Sequence, residues 1–365
     1  MIFCSKCFID PEVIGTIERL NKLGTCDICQ SNDVFVYETD TDIDLSDPFD
    51  ELISVYVPVD TLDGQCRGIG GKLLSEELMD NWEIFNQLSP SQIRQIIISI
   101  CQNKYVQSPQ LFDSPVDIAA KYDEAYLATK SILRTNQWED FVSDLKFKNR
   151  FHTKHINTEV LERFCSFIRK PYKKGEKFYR ARIAANGNGF KTTKMGSPPN
   201  DITMPGRANS QGIRCLYLAD SIKTSIHEVR AGAFDYVSVA TFKLKKDIIV
   251  ANLQSIAKFS PFEDEVEFAQ YAINREVLKK INVEMAKPLR RSDSPLEYTP
   301  TQYISEFIKS VEHDGKNEYS GIEYGSTLNA GGYNLAIFDP DLFKCINVTT
   351  YKIDELNYRF EPSSC

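Results

Sequence analysis

The sequence predicts an α+β protein built from several segments, and three observations support this prediction. Its 365 residues exceed the length of one typical compact domain. Two Cys-x₂-Cys pairs lie within the first 40 residues, and apolar residues then recur at helical spacing between about residues 73 and 170. After Lys173-Lys174-Gly175 the chain changes to short apolar runs that are typical of strands.

The composition is that of an ordinary globular protein. Hydrophobic residues make up 42% and charged residues 26%, and the 43 basic and 51 acidic side chains give a net charge of −8. The acidic excess argues against a broad nucleic-acid surface. The longest apolar stretch, residues 96–101, is too short to span a bilayer, and the N-terminus lacks the apolar core of a signal peptide. We therefore expect a cytoplasmic protein without membrane contact, whose ten cysteines are thiols or metal ligands.

The first segment, residues 1–40, has the cysteine spacing of a zinc ribbon. Cys4 and Cys7 form one pair, and Cys26 and Cys29 form the other. Together they offer four thiolates to one tetrahedral Zn²⁺, which would hold a segment too small for a core of its own. Because four cysteines close the coordination shell, we expect a structural zinc and not a catalytic one. The alternative is four unrelated thiols.

Residues 41–72 and 73–172 are expected to form a linker and a helical region. The linker is rich in Asp and Gly and contains one expected strand at 52–57. Ser89-Pro90 and Ser114-Pro115 each place an N-cap residue before a proline, so we expect a helix to begin at both. Two further amphipathic helices are expected at 137–147 and 158–168.

The last segment, residues 173–365, alternates strand-like and helix-like runs, which predicts a mixed α/β domain with a strand-rich core. The expected strands are 177–183, 214–219, 236–244, 248–253, 321–324, 333–338 and 346–353. The expected helices are 221–230, 263–280 and 301–311.

Four polar residues of this segment suggest a site. Arg207 lies in a loop that leads into the strand carrying Tyr217, and Glu228 lies on the helix that follows. Ser326 comes at the end of a strand, shortly before a glycine-rich turn. Glu228 lies beside an apolar stripe that we expect to face the core, so its carboxylate should point into a cleft. That stripe consists of Ile222, Ile226 and Val229.

These residues and their flanking motifs resemble the RES domain family, which is named after an arginine, a glutamate and a serine. The resemblance covers roughly half of the chain and keeps the family's order of motifs. The N-terminal half, with its cysteine pairs and helices, is similar to the HEPN-like region that precedes RES domains in longer proteins. The motifs that carry the resemblance are Phe178-Tyr179-Arg180-Ala181-Arg182, Gly206-Arg207, Leu216-Tyr217-Leu218-Ala219, Glu228, residues 300–307, Tyr324-Gly325-Ser326 and residues 332–338.

The resemblance implies an ADP-ribosyltransferase-like fold and an enzyme that consumes NAD⁺. The implied reaction is hydrolysis or phosphorolysis of the nicotinamide–ribose bond, as in toxins or antiphage systems that deplete cellular NAD⁺. An antitoxin or another regulatory protein is an implied partner, and a homo-oligomer stays open. The implied catalytic residues are Arg207, Tyr217, Glu228 and Ser326.

The chemistry of these side chains agrees with that activity. Cleavage of an N-glycosidic bond builds positive charge on the ribose, which the carboxylate of Glu228 can stabilise. The guanidinium of Arg207 suits a diphosphate. The Tyr217 ring can stack on nicotinamide, and the Ser326 hydroxyl can bind a phosphate or ribose oxygen or orient the nucleophile. The expected cofactor-binding residues are Arg180 and Arg182, which support the diphosphate site, and Asn334.

Other functions stay open at this stage. ADP-ribosyl transfer to a macromolecule would use the same residues but would leave label on the acceptor. A non-enzymatic sensor or scaffold would be free to lose them. Arg150 and His155 match the loose element of HEPN ribonucleases, but neighbouring lysines favour a solvated basic loop. The sequence contains no dinucleotide-binding Gly-x-Gly-x-x-Gly and no P-loop.

Overall fold

The computed structural model describes residues 1–62, 71–134, 137–288 and 293–356. The chain forms two compact units, one of Met1–Ser131 with Lys258–Glu276 and one of Ile132–Ala257 with Val277–Cys365. Parts of the expected segments lie outside the described residues, namely 63–70 of the linker, 135–136 of the helical region, and 289–292 and 357–365 of the last segment. Within the described residues, no helix is both long and apolar enough to cross a membrane.

The first unit contains short helices and two small antiparallel sheets, with strand orders β1-β3-β2 and β4-β6-β5. Its strands are β1 (Ile2–Cys4), β2 (Leu23–Gly24), β3 (Val34–Glu38), β4 (Tyr56–Pro58), β5 (Lys72–Leu73) and β6 (Pro115–Ile118). Its helices are α1 (Pro11–Arg19), α2 (Ser46–Ile53), α3 (Leu74–Asn81), α4 (Pro90–Ile100), α5 (Gln102–Gln107), α6 (Gln110–Asp113) and α7 (Glu124–Lys130).

One strand expected in this unit was wrong in part, and one helix start was confirmed. The strand expected at 52–57 is divided between α2 and β4, because Phe49, Leu52 and Ile53 recur at helical spacing and are all fully buried. Ser89 caps α4 as expected, its hydroxyl accepting from the N–H of Gln92.

Ser114-Pro115, in contrast, precedes a strand and not a helix. The apolar residues Val116 and Ile118 alternate with Asp117, and both are buried in the pairing of β6 with β4 and β5. Alternation with period two therefore outweighs the local Ser-Pro cap signal. The helix of this region begins only at Glu124, where Asp123 caps it.

The second unit is mixed α/β, as expected, and contains each of the seven expected strands. Its strands are β7 (Arg169–Tyr172), β8 (Lys177–Ala184), β9 (Leu216–Ala219), β10 (Tyr236–Leu244), β11 (Ile248–Asn252), β12 (Glu312–His313), β13 (Lys316–Asn317), β14 (Gly321–Gly325), β15 (Tyr333–Ile337) and β16 (Phe343–Lys352). Its helices are α8 (Trp138–Phe147), α9 (Thr158–Ser166), α10 (Ile222–Glu228), the second half of α11 (Phe268–Ala286) and α12 (Thr299–Ser310).

An eight-stranded sheet organises this unit, in the order β16-β10-β8-β9-β15-β14-β11-β7. All neighbours pair antiparallel except β11 and β14, which are parallel. One face buries a large apolar cluster that includes Phe178, Leu218 and Phe242. Strand residues alternate between the two faces, so Tyr217 and Asn334 belong to the opposite face.

Helix α10 packs on that opposite face. Ile226 and Val229 contact the cluster formed by Ala181, Val237 and Val239, as the expected apolar stripe requires. Ile222 departs from the expectation, because it is the first residue of the helix and is 36% exposed. Thr224 and Ser225 are buried in its place.

Candidate functional site

The sheet opens between β8 and β9, and a cleft lies at this opening. The two strands share one paired position, Tyr179 opposite Ala219, whereas β8 pairs with β10 along almost its whole length. The cleft has a small lobe of about 260 Å³ and a larger lobe of about 500 Å³. The larger lobe, and the two lobes together, fall in the size range of small-molecule sites. Four of the lining residues are common to both lobes, and we call them the shared wall: Tyr217, Glu228, Val229 and Tyr324.

Glu228 lies on the shared wall because it is the last residue of α10. The hydroxyl of Ser221 caps the start of this short helix by accepting from the N–H of Thr224, at 3.1 Å. Glu228 Oε1 accepts two hydrogen bonds, from Ser326 Oγ at 2.7 Å and from Asn334 Nδ2 at 2.8 Å. Within the described residues both bonds end on Oε1, which leaves Oε2 for a ligand in the cleft.

The turn that carries Ser326 is held by further hydrogen bonds. The N–H of Ser326 donates to the carbonyl of Gly332 at 2.9 Å, and the N–H of Asn329 donates to Ser326 Oγ at 3.2 Å. Asn329 Nδ2 in turn donates to the buried Thr224 Oγ1 at 2.9 Å. A Cβ at position 332 would lie 2.5 Å from that oxygen, so the close approach requires glycine.

Tyr217 holds the loop that contains Arg207. The Tyr217 hydroxyl donates to Asn209 Oδ1 at 2.7 Å and accepts from the N–H of Ala208 at 3.0 Å. Burial raises the pKa of Tyr217 well above its usual value, so the hydroxyl stays protonated and can donate. A Cβ at Gly206 would lie 2.6 Å from the tyrosine oxygen, which explains the glycine before the arginine. The buried Gln302 closes the loop from α12, donating to the carbonyls of residues 206 and 209 at 2.8 and 2.9 Å.

Arg207 lines the larger lobe and contacts the end of α11. Its Nη1 donates to the carbonyls of Met285 and Ala286, both at 3.1 Å, where the partial negative charge of the helix end favours a cation. The guanidinium lies 5.8 Å from the centre of the Tyr324 ring. Within the described residues all hydrogen bonds of Arg207 use Nη1, so Nε and Nη2 stay available to a ligand.

The two arginines of β8 occupy different surroundings. Arg180 lines the small lobe, and its buried Nη1 has no hydrogen-bond partner among the described residues. Burial, with Arg182 nearby, lowers the pKa of Arg180 to about 10, so the side chain remains a cation at neutral pH. Arg182 Nη2 donates to the carbonyl of Gly196 at 3.1 Å, and Arg182 does not line either lobe.

The four cysteines of the first unit come together as a group. Their sulfur atoms lie within 4.8 Å of one another. The contacts are 3.9 Å for Cys4–Cys7, 3.5 Å for Cys4–Cys29 and 3.6 Å for Cys7–Cys26. Zinc–sulfur bonds of about 2.3 Å in a tetrahedron place neighbouring sulfurs about 3.8 Å apart. The sulfur spacing therefore fits a metal ion without rearrangement.

The geometry thus defines a mixed α/β domain whose cleft presents two carboxylates, four tyrosines and three arginines. Residues 177–361 match the family model of the RES domain. Because the match covers half of the chain, this protein belongs to the RES domain family, which is associated with an NAD⁺-related, toxin-type function and with toxin–antitoxin partners. No curated protein matches the chain, and no solved structure does.

The structure brings six of the seven candidates from the sequence to one place. Arg180, Tyr217, Glu228 and Asn334 line the cleft, Arg207 lines its larger lobe, and Ser326 binds Glu228. Arg182 is the exception. Sequence reasoning did not identify the supporting residues, because an amide or hydroxyl that fixes a distant loop has no local pattern. Those residues are Asn209, Thr224, Gln302 and Asn329.

Proposed function

We propose that this protein is an NAD⁺-consuming enzyme that cleaves the bond between nicotinamide and ribose. The observation that carries this proposal is the fixed carboxylate of Glu228. Two donors orient Oε1, both bonds leave Oε2 as an acceptor for a ligand, and Glu228 lines both lobes. Such a carboxylate stabilises positive charge on a ribose placed between the lobes.

The reaction needs no group beyond the substrate, an acceptor and these side chains. The bond between ribose C1 and the nicotinamide nitrogen breaks, and its electron pair leaves with nicotinamide. Water then forms the new bond to C1 and loses one proton to the solvent, which gives ADP-ribose. Hydrogen phosphate forms the same bond and gives the 1-phosphate. The unused donors of Arg207 would bind the diphosphate, with the unpartnered Nη1 of Arg180 in support. Tyr217 and Tyr324 supply flat aromatic surfaces for the substrate.

The proposal also covers the metal site and the type of fold. The sulfur cluster would bind one structural Zn²⁺, since all four ligand positions are filled by cysteine. The opening of the sheet between β8 and β9 supports the ADP-ribosyltransferase-like interpretation of the fold. The HEPN-like interpretation of residues 73–172, cytoplasmic residence, an antitoxin or regulatory partner and a homo-oligomer stay predictions.

The test is nicotinamide release from NAD⁺ by the purified chain, with and without phosphate. We expect release by the wild type and a loss of about 100-fold or more in Glu228→Gln, which keeps the shape and removes the charge. Glu312→Gln, at an exposed position of β12, is the matched control and should behave as wild type. Free ADP-ribose would indicate hydrolysis, its 1-phosphate would indicate phosphorolysis, and label retained on a macromolecule would indicate ADP-ribosyl transfer. Equal rates in Glu228→Gln and wild type would refute the proposal.

A further inference from the structure

The larger lobe of the cleft contains residues that the proposed reaction leaves without a role. Beyond the shared wall and the Gly206-Arg207 loop it is lined by Arg230, Asp293, Pro295, Tyr298 and Leu328. These side chains offer an aromatic ring, two apolar surfaces, a second guanidinium and a carboxylate that can accept hydrogen bonds from ribose hydroxyls. That combination suits a purine nucleotide, whose flat base stacks on aromatic rings and whose phosphates attract arginine.

We propose that the larger lobe binds the adenosine end of NAD⁺, with Tyr298 stacking on the adenine and Arg230 assisting at the diphosphate. This inference rests on the proposed function, because it takes Glu228 as the position of the cleaved bond. It adds a subsite for the part of the substrate that does not react. Binding energy from such a remote part can raise kcat/KM at the reacting centre.

The order of groups in NAD⁺ supports this assignment. Nicotinamide, the first ribose, the diphosphate, the second ribose and adenine follow one another in a line. Glu228 belongs to both lobes, whereas Arg207 belongs only to the larger one. If the bond to be cleaved lies at Glu228 and the diphosphate at Arg207, the adenosine must continue into the larger lobe. The volumes of about 260 and 500 Å³ agree, since nicotinamide is the smaller end.

Tyr298 is held well enough to act as a stacking surface. It ends a 3₁₀ turn, Pro295–Tyr298, in which the hydroxyl of Ser294 accepts from the N–H of Leu296 at 3.2 Å. Its own carbonyl accepts from Thr301 Oγ1 at 3.0 Å, at the first turn of α12. Tyr298 is half-buried and lines the lobe, so its backbone is held while part of the side chain is open to a ligand.

Arg230 occupies a backbone position that favours glycine. It follows the C-cap of α10 with φ of +51°, and its N–H donates to the carbonyl of His227 at 2.9 Å. Glycine is the usual residue where a helix ends in this left-handed conformation. An arginine there costs backbone strain, and strained positions of this kind cluster at ligand sites. The side chain, which lines the larger lobe, accounts for the arginine.

The experiment compares NAD⁺ with nicotinamide mononucleotide, which lacks the adenylate. In the wild type we expect kcat/KM for nicotinamide release to be higher with NAD⁺. Tyr298→Ala should lower the ratio of the two kcat/KM values by about fivefold to a hundredfold, the range for loss of one base–aromatic stack. Tyr298→Phe should keep most of the ratio, because stacking uses the ring. Leu296→Ala, in the same turn but outside the lobe, is the matched control and should leave the ratio unchanged.

Direct titration with ADP-ribose separates failure of the inference from failure of the proposed function. If the wild type cleaves neither substrate yet binds ADP-ribose, and Tyr298→Ala weakens that binding at least fivefold, the proposed function fails and the subsite stands. If NAD⁺ is cleaved and Tyr298→Ala leaves the substrate ratio and ADP-ribose affinity unchanged, the subsite is wrong. Parallel loss of activity on both substrates would also overturn it.

Arg230→Gly gives a second, independent measurement. Removing the strained side chain should raise the midpoint of thermal unfolding, because glycine adopts this φ freely. It should also raise KM for NAD⁺ relative to the wild type, while kcat for NAD⁺ changes by a smaller factor. A residue with a purely structural role would not improve stability and weaken substrate binding together. An unchanged KM would remove Arg230 from the subsite.

Discussion

Glu228 and Asn334 show at the level of single residues how the fold sets the orientation of a carboxylate. The Asn334 amide donates to Glu228 Oε1 at 2.8 Å, so the partner of the glutamate at this position is neutral. The neutral donors Asn334 and Ser326 fix the direction of the carboxylate. The same position occupied by an acid would favour the protonated form of the pair.

Asn334→Asp therefore gives a prediction with a definite sign. A second carboxylate at hydrogen-bonding distance raises the pKa of the pair, so the deprotonated form that the proposed reaction uses is lost at low pH and returns as the pH rises. We expect nicotinamide release by Asn334→Asp to fall about tenfold or more at neutral pH and to recover toward alkaline pH. The measurement is the pH profile of kcat/KM.

Asn334→Ala is the control for that experiment. It removes the donor without adding charge, so the rate should fall at every pH with little movement of the profile. A profile of Asn334→Asp that coincides with the wild-type profile would show that Glu228 need not be ionised for activity.

Single residues were predictable where the side chain suits the chemistry and also lies in a motif in the order that the family has. Arg207, Tyr217, Glu228 and Ser326 each stand in a motif, and the fold assembles them around one cleft. The direction of Arg182 was not predictable. Arg180 and Arg182 share a face of β8, yet only Arg180 lines the cleft. The difference depends on where β9 separates from β8, which no local pattern records.

Strands and helices were predictable wherever burial follows the repeat of the backbone. The strand expected at 236–244 is β10 with the same bounds, because it pairs along its length with β16 on one side and β8 on the other, and most of its residues are buried. Helix α11 begins at Phe268 and not at the expected residue 263. Its apolar residues do not form a single stripe, so the presence of the helix was predictable but its first residue was not.

We expect the segment that carries the two cysteine pairs to depend on a bound metal for its stability. Burial raises the pKa of the Cys4 thiol to about 12, and the thiols must lose their protons to bind zinc. We expect the purified chain to contain about one zinc per molecule and Cys7→Ser to lose it. Zinc content by atomic emission and the urea midpoint of the full chain would measure the effect.

Cys345→Ser is the matched control for the metal experiment, since Cys345 is half-buried and lies outside the cluster. It should retain zinc and the wild-type midpoint. Lowering the pH should release the metal from the wild type, because protons compete for the same sulfurs. A chain that holds no zinc and unfolds identically with and without a chelator would contradict the prediction.

For the whole molecule, the match to the RES domain and the compact unit do not begin at the same residue. The family model starts at residue 177, whereas the unit that contains the cleft starts at Ile132 and includes α8, α9 and β7. Strand β7 is the edge of the eight-stranded sheet and brings two donors to a buried carboxylate. Lys170 Nζ lies 2.8 Å from Glu323 Oε1, and the Tyr172 hydroxyl donates to Oε2.

A fragment of residues 177–365 should therefore be less stable than a fragment of residues 132–365. Glu323 is 1% exposed, and without β7 its remaining side-chain donor among the described residues is Gln254 Nε2, at 3.0 Å. A buried charge that loses its partners costs about 3–5 kcal/mol. We expect the difference as a lower urea midpoint in the shorter fragment, followed by near-ultraviolet circular dichroism.

Glu323→Gln separates the buried carboxylate from the general loss of packing in the shorter fragment. In residues 177–365 the neutral amide no longer needs the donors of β7, so the substitution should raise the urea midpoint. In residues 132–365 it leaves Lys170 beside a neutral group and should lower the midpoint. If Glu323→Gln changes the urea midpoint in opposite directions in the two fragments, β7 stabilises the domain through Glu323. A decrease of equal size in both would assign the stabilisation to the backbone pairing of β7 with β11.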